Sequence, residues 1–180
     1  MNVGLWMLSA AIGASANLDD ISIGYASGHR AGWRSISFYL CTAFCSVGTC
    51  LVGGLSAAHI ERSLSPLLCS YLGSGTLISI GIWTFFQAFT QQFRADATFD
   101  QLGFHEMMVV LLAQSVANLT AGFGAGFCHI GVWFTSAAAG LFTLWFLLAP
   151  LHGVRRQVSR MGHRFWMIAG VVLILVGLFR

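Results

Sequence analysis

The sequence predicts an all-α integral membrane protein whose six transmembrane helices form two inverted three-helix repeats. Hydrophobic residues make up 57% of the 180 residues and charged residues only 8%, compared with about 25% charged residues in a soluble domain. Apolar segments close to the roughly 20 residues that a spanning helix needs recur six times along the chain. The 21 glycines are typical of helices that pack closely in lipid.

The six predicted spans are separated by short, more polar connections. Their approximate ranges are 4–27, 36–57, 67–89, 106–127, 132–151 and 165–179. Helices are expected because lipid cannot satisfy backbone polar groups and the alternating pattern of barrel strands is missing. We therefore expect one membrane domain over residues 1–180, with repeat one at 1–90, a linker at 91–104 and repeat two at 105–180.

The basic residues, all of them Arg, predict the orientation in the membrane. Seven of the nine lie in the first, third and fifth loops, and only Arg62 and Arg180 lie on the other side. Because basic residues accumulate on the cytoplasmic side, both termini are expected outside the cytoplasmic (inner) membrane of a bacterium. The first span is expected to be retained, since the start of the chain has no basic region and no clear small-residue cleavage site. The net charge of +3 then reflects orientation and not nucleic-acid binding.

The two halves of the chain resemble each other. Gly122 and Asn118 lie 98 residues after Gly24 and Asp20, and the third and sixth spans carry similar apolar runs. Each half has three spans, an odd number, so the two halves must insert with opposite orientation. This is the inverted repeat of many secondary transporters.

Asp19 and Asp20 lie in the middle of the first apolar segment. A carboxylate at the centre of a spanning helix is unfavourable by roughly 2.5–3.5 kcal/mol, so such residues usually face an ion or substrate pathway. Small and polar residues recur around them at intervals of three or four: Gly13, Asn17, Asp20, Gly24 and Ser27. These residues share one face of a helix.

The fourth span carries a similar stripe. It consists of Ser115, Asn118, Gly122 and Ala125. If the two stripes meet, they enclose carboxylate, amide and hydroxyl oxygens, which suit Mn²⁺, Mg²⁺ or Ca²⁺ better than thiophilic ions. We therefore predict an ion-binding site formed by Asp19, Asp20, Asn17 and Asn118, with Asp19 and Asp20 as metal ligands.

Other chemistry is not indicated. The five Cys form no C-x-x-C pair and are interpreted as buried packing residues. The glycines from Gly122 to Gly126 resemble a phosphate loop only loosely, since no strand precedes them and no Lys follows. No grouping of Ser, His and Asp suggests catalysis. The chain is therefore not expected to be an enzyme or to hold a resident cofactor.

The first-span motif resembles that of a known family. Asn17-Leu18-Asp19-Asp20, followed by Gly24, Gly28 and a short loop with Arg residues, is similar to the S-L-D-x-x-x-x-G opening of the manganese-efflux pump family (MntP type). It resembles most closely the sporulation membrane protein branch (YtaF type), within the lysine-exporter-like transporter superfamily. The segment 115–126 and the Gly-containing third and sixth spans extend this resemblance, which implies six spans in two inverted halves.

The resemblance also implies residue roles. The first-half acid of the family falls on Asp19, and its Ser falls on Asn17, which keeps an oxygen donor. The second-half acid falls on Ala117, which cannot bind a cation. Asn118 and Asp20 are expected to compensate for this loss.

The leading hypothesis is export of a divalent cation such as Mn²⁺, by exchange with protons, through a carboxylate site in the middle of the membrane. Two alternatives stay open. One is a non-transporting membrane protein with a role in assembly or sporulation, suggested by Ala117. The other is export of a small organic solute whose ammonium group meets Asp19. The expected partners are the lipid bilayer and the transported solute, and a homodimer is left open.

Overall fold

The computed structural model describes residues 3–18, 20–21, 24, 33–90, 104–148, 167–168 and 170–178, whose regular structure is α-helical throughout. The main helices are α1 (Val3–Ala16), α2 (Trp33–Glu61), α3 (Pro66–Thr90), α4 (Phe104–Phe127) and α5 (Val132–Leu148). Residues 167–168 and 170–178 are also helical, and we call 170–178 the C-terminal segment. The loops that carry most of the Arg residues, and nearly all of the predicted linker, lie outside the described residues.

The second to fifth predicted spans coincide with α2 to α5, with every boundary within four residues. The helical residues between 167 and 178 fall inside the predicted sixth span. Apolar length located these helices because polar or helix-breaking residues separate one apolar segment from the next. Pro66, for example, occupies the first helical position of α3, where its missing N–H costs nothing.

The first span differs from the continuous helix predicted over 4–27. α1 ends at Ala16, Asn17 and Leu18 form a turn, and helix resumes at Asp20. The cause is the side chain of Asn17, whose Nδ2 donates to the carbonyl of Gly13 at 2.7 Å. The backbone N–H of Asn17 would make this bond in a continuous helix, but here it donates to Ala14 instead. Such side-chain competition for backbone acceptors is characteristic of Asn.

Two helices in the described part of the chain are long and apolar enough to cross a membrane by themselves, over Ile36–Glu61 and Pro66–Phe86. Gly4–Ala16 and Val132–Leu148 are apolar but shorter. The long helices expose large apolar side chains, with Phe44 75% and Trp83 64% accessible. Apolar surface of this extent would be unfavourable in water and suits contact with lipid.

Glycines set the distance between two pairs of helices. On α4, a Cβ added at Gly122 would collide with the carbonyl oxygen of Cys50 on α2, and one at Gly53 would collide with the carbonyl of Leu119. The backbones of α2 and α4 therefore touch directly. Small residues permit this approach in membrane helices, where van der Waals contact drives association.

The glycines of the first span face a different partner from the one predicted. A Cβ added at Gly13 would lie 2.8 Å from the backbone nitrogen of Ala139, and one added at Gly24 would lie 2.8 Å from the carbonyl oxygen of Leu147. Both partners belong to the fifth span, whereas the two glycine stripes were expected to bring the first and fourth spans together. Glycine spacing predicts a close approach but does not name the neighbour. The first and fourth spans meet through polar side chains instead.

An apolar cluster closes the bundle near this contact. Ile12 of α1, Leu77 of α3, Ile130 of the α4–α5 turn and Leu173 of the C-terminal segment are all buried in it. Residues of α4 belong to the cluster as well, so five parts of the chain share one core. The polar side chains of α1 and α4 lie beside a packed interior and not beside bulk water.

Replacement of Gly122 by Ala tests the α2–α4 contact. The new Cβ meets a backbone carbonyl, which cannot rotate away, so we expect a destabilisation of about 1–3 kcal/mol. The measurement is thermal unfolding of the purified protein in detergent. Gly48→Ala in α2 is the matched control, because its Cβ would have no neighbour within 4 Å, and we expect a change within about 0.5 kcal/mol. Equal unfolding temperatures for the two variants would contradict direct backbone contact.

Candidate functional site

Asp20 lies in the interior of the bundle, directly after the break in the first helix. Its side chain is fully buried, with 0% accessibility. Its backbone N–H donates to the carbonyl of Asn17 at 3.1 Å, and that of Ile21 donates to Leu18 at 3.3 Å. These bonds to the third preceding residue tighten the turn in the manner of a 3₁₀-helix. The turn thus places the carboxylate of Asp20 four residues beyond the last residue of α1, Ala16.

Gln114 of α4 holds the Asp20 carboxylate. Its Nε2 lies 2.5 Å from Oδ1 and 2.6 Å from Oδ2, so one amide group contacts both carboxylate oxygens. Hydrogen bonds to an ionised acceptor are shorter and roughly twice as strong as neutral ones. Gln114 is itself 2% accessible, and this contact links the two halves of the chain in the interior.

Asn17 and Asn118 form the second part of the network. Asn118 Nδ2 donates to Asn17 Oδ1 at 2.8 Å and to the backbone carbonyl of Gln114 at 3.2 Å. Gln114 Nε2 also lies 3.4 Å from Asn17 Oδ1. Both Asn side chains are fully buried. The structure therefore brings together three of the four predicted site residues, Asn17, Asp20 and Asn118.

One other predicted site residue lies outside the described residues, and one residue of the predicted stripe does not join the network. Asp19 lies outside the described residues, so its role as a metal ligand stays a prediction. Ser115 was placed on the polar stripe of the fourth span, but its hydroxyl donates at 2.7 Å to the carbonyl of Leu111 in its own helix.

Gln114 was missed by the sequence prediction. Its spacing of four residues from Asn118 places both on one helix face, and that spacing was the available signal. The stripe was drawn through Ser115 instead, and helical periodicity alone separates two adjacent positions poorly.

The directions of the carboxamides follow from their neighbours. Asn17 Nδ2 donates to the carbonyls of Gly13 at 2.7 Å and of Ala139 at 3.4 Å, both of which only accept. The Asp20 carboxylate likewise only accepts, so it requires the nitrogen of Gln114. With every N–H group directed at an acceptor, Gln114 Oε1 and Asn118 Oδ1 are left without a hydrogen-bond partner among the described residues. Buried polar atoms of this kind are uncommon and call for an explanation.

The site is rich in oxygen and poor in soft ligands. The described residues contain no group of three or more His, Cys, Asp or Glu side chains arranged to hold a metal. Around Asp20 the available ligands are its own carboxylate and the amide oxygens of Asn17, Gln114 and Asn118. Oxygen ligands of this kind favour hard cations. The C-terminal end of α1 also points its partial negative charge towards this region, which favours positive charge there.

A second polar cluster lies apart from this site, at the turns that follow α2 and α4. His129 Nε2 lies 3.1 Å from Glu61 Oε1, and the His129 side chain is 69% accessible. Beside this pair is a cavity of about 240 Å³ that also includes Cys69 and Cys128 in its lining. His129, which lies at the end of a span, is therefore largely solvated. None of the five cysteines forms a disulfide. The expectation that they are buried is correct for Cys50, Cys69 and Cys128 but wrong for Cys41, which is exposed, while Cys45 is half-buried.

Most of this chain is similar in sequence to known proteins. A family profile described as "Putative manganese efflux pump" matches residues 30–179. The chain belongs to this manganese-efflux pump family. A protein of Pseudomonas fluorescens named "Putative manganese efflux pump MntP" is 30% identical over 108 residues, which are 59% of this chain and 57% of that protein. No solved structure matches the chain.

Family membership confirms the resemblance inferred from the sequence, although the matched range begins after the first-span motif. The family description is that of an efflux pump, and two of the described helices are long and apolar enough to cross a membrane. The chain matches little more than half the length of its Pseudomonas relative. Assignment to the sporulation branch stays a prediction.

Asn118→Leu tests the energetic role of the network. The substitution keeps most of the volume but removes the donor to Asn17 Oδ1, leaving a buried oxygen without that partner. We expect a loss of about 1–3 kcal/mol in stability, measured by thermal unfolding in detergent. Thr120→Val in the same helix is the control, since its hydroxyl bonds only the carbonyl of Val116 in an exposed contact. An unchanged unfolding temperature for Asn118→Leu would show that the network contributes little.

Proposed function

We propose that this protein exports a divalent cation, Mn²⁺, from the cytoplasm through a site centred on Asp20. The observation that carries the proposal is the fully buried carboxylate of Asp20, held between the first and fourth spans by side chains that present amide oxygens. Membership of the manganese-efflux pump family supports the choice of cation.

The cost of the carboxylate, together with the two unpartnered oxygens beside it, favours a site that a cation can enter. An acid at the centre of a spanning helix is unfavourable by roughly 2.5–3.5 kcal/mol, and a purely structural link between helices would need only neutral groups. Gln114 offsets part of this cost through its N–H bonds. A cation that visits the site would offset more, since it can also satisfy the two unpartnered oxygens, Gln114 Oε1 and Asn118 Oδ1.

The proposed ligand set suits transport better than storage. Affinity for hard cations rises with the number of charged ligands and the rigidity of the site. The contacts described above join Asp20 to neutral amides, and a cation can leave a site in which the ligands carry little charge. We propose Asp19 as the second acid, which supplies further charge as ligand or proton carrier. Return of protons through these acids would couple export to the proton gradient, a use of buried carboxylates found in many transporters.

Helix packing supports two inverted repeats as the architecture. In two equivalent repeats the first span corresponds to the fourth and the second span to the fifth. The close contact between the first and fifth spans then corresponds to the close contact between the fourth and second spans, α4 and α2. A Cβ on Gly81 would meet Ile174, and one on Gly177 would meet Ile78. An offset of 96 residues converts one of these contacts into the other. We propose a single domain of two repeats, 1–90 and 105–180, around a site at their interface.

The Arg distribution supports an orientation with both termini outside the cytoplasm. Full-length protein fused at Arg180 to alkaline phosphatase is then expected to show phosphatase activity, because this enzyme folds only outside the cytoplasm. The matched fusion to green fluorescent protein is expected to stay dark for the converse reason. A fluorescent fusion without phosphatase activity would contradict the predicted position of the C-terminus outside the cytoplasm.

Asp20→Asn tests the proposed function. The substitution keeps the volume, and the Gln114 carboxamide can turn to match the new amide, so the protein is expected to fold. Cells that express wild-type protein should contain less Mn²⁺ and tolerate more of it than cells with an empty vector. Cells with Asp20→Asn should behave like the empty vector, because the charge that binds the cation is lost. Cellular manganese and growth at raised Mn²⁺ are the measurements.

Thr120→Val is the control for expression and folding, and Asp19→Asn tests the second acid in the same assay. Equal amounts of protein in the membrane must be confirmed for each variant. Export by Asp20→Asn at the wild-type rate would remove Asp20 from the proposed site. Wild-type protein that moves no Mn²⁺ in reconstituted vesicles would favour the non-transporting alternative, with a role in assembly or sporulation.

Export of a small organic amine is the second candidate, and one observation favours it. Asp20 is the one carboxylate in the network that the structure describes, and a single negative charge surrounded by amides also suits an ammonium group. Competition between Mn²⁺ and amines for binding to purified protein separates the two substrates. Displacement of the amine by Mn²⁺, with loss of both in Asp20→Asn, is expected if the cation is the substrate.

A further inference from the structure

We infer that Gln114 is a specificity residue that alternates between two partners: its amide nitrogen binds the Asp20 carboxylate, and its amide oxygen binds the transported divalent cation. This inference rests on the proposed function, which it deepens. Nothing in the spacing of acids along the chain assigns a role to Gln114. The geometry of its carboxamide does.

The position of Gln114 Nε2 is the first reason. At 2.5 and 2.6 Å from the two oxygens of Asp20, it occupies the place between them where a cation would bind both. A cation can therefore take both oxygens only if the amide nitrogen leaves. Gln114 and the cation compete for the same part of the carboxylate.

The unpartnered oxygen is the second reason. Gln114 Oε1 is buried and has no hydrogen-bond partner among the described residues. The terminal torsion of Gln is soft, so a half-turn of the carboxamide, with a withdrawal of the side chain that makes room for the cation, directs Oε1 towards the carboxylate. An oxygen turned towards a carboxylate is repelled unless positive charge lies between them. The turn is therefore favourable only when a cation is bound, which ties the movement to the cargo.

The neighbouring amides define which ligands are fixed. Asn17 Nδ2 is bound by the backbone carbonyls of Gly13 and Ala139, so Asn17 Oδ1 keeps pointing into the network whatever Gln114 does. Asn118 donates to Asn17 Oδ1 and to a backbone carbonyl, and its own Oδ1 is also unpartnered. The site thus combines one fixed oxygen, from Asn17, with oxygens that become ligands on cation binding.

A neutral donor is the suitable group for this exchange. A Lys or Arg at position 114 would form an ion pair with Asp20 that a cation must break, and an acid at this position would repel the carboxylate. The amide of Gln114 stabilises the carboxylate without adding charge. At this contact, binding of the cation displaces a neutral hydrogen-bond donor.

Mn²⁺ binding to purified full-length protein in detergent tests the inference, by calorimetric titration and by thermal unfolding with EDTA or with Mn²⁺. Gln114→Met removes donor and acceptor at similar volume, and we expect its Mn²⁺ affinity to fall by roughly tenfold or more. Gln114→Glu keeps an oxygen ligand but places two acids in contact. Its unfolding temperature should fall below that of wild type in EDTA and rise with Mn²⁺ by more than the wild-type increase.

The variants separate this inference from the proposed function. If wild-type protein binds no Mn²⁺, or Asp20→Asn binds it equally well, the proposed function fails and the inference fails with it. If Asp20→Asn loses binding but Gln114→Met keeps wild-type affinity, only the inference is overturned. Should Gln114→Met fail to fold, Gln114→Glu decides: an unfolding temperature that Mn²⁺ raises no more than in wild type and in Thr120→Val would show a purely structural role.

Discussion

The arrangement of this protein depends on one constraint: a carboxylate buried inside a membrane bundle needs polar partners that stabilise it. Asp20 meets this constraint through Gln114, whose amide nitrogen bonds both of its oxygens. The contact joins the first span to the fourth and thereby crosses between the halves of the chain. Membrane helices without such a group could associate through glycine contacts alone.

The break in the first helix is the local device that places this carboxylate. Because Asn17 uses its side chain to satisfy the carbonyl of Gly13, the backbone tightens and α1 ends at Ala16. The same side chain then offers its oxygen to Asn118. One residue therefore ends the helix, orients the acid and supplies a candidate ligand. Interrupted helices whose ends point at a site in the middle of the membrane recur among secondary transporters for the same electrostatic reason.

The sequence predicted the parts of this structure that depend on apolar length and on the helical period. Apolar length located α2 to α5. The 3.6-residue period of a helix placed Asn17 and Asp20 on the polar stripe of the first span and Asn118 on that of the fourth. The sequence patterns did not predict the break in the first helix, because hydropathy does not detect a side chain that replaces a backbone hydrogen-bond donor. They missed Gln114 because the polar stripe of the fourth span was drawn through the adjacent residue, Ser115. Glycine spacing indicated close packing but not that Gly24 would meet the fifth span.

The central claim is that Asp20 binds the exported cation directly. The most direct measurement is an anomalous difference map from crystals of the full-length protein soaked in Mn²⁺, with data collected on both sides of the manganese absorption edge. The account predicts one strong peak within coordination distance of the Asp20 carboxylate, with the Gln114 oxygen turned towards it, and no such peak in Asp20→Asn. A peak elsewhere in the bundle, with Gln114 still donating to Asp20, would contradict it.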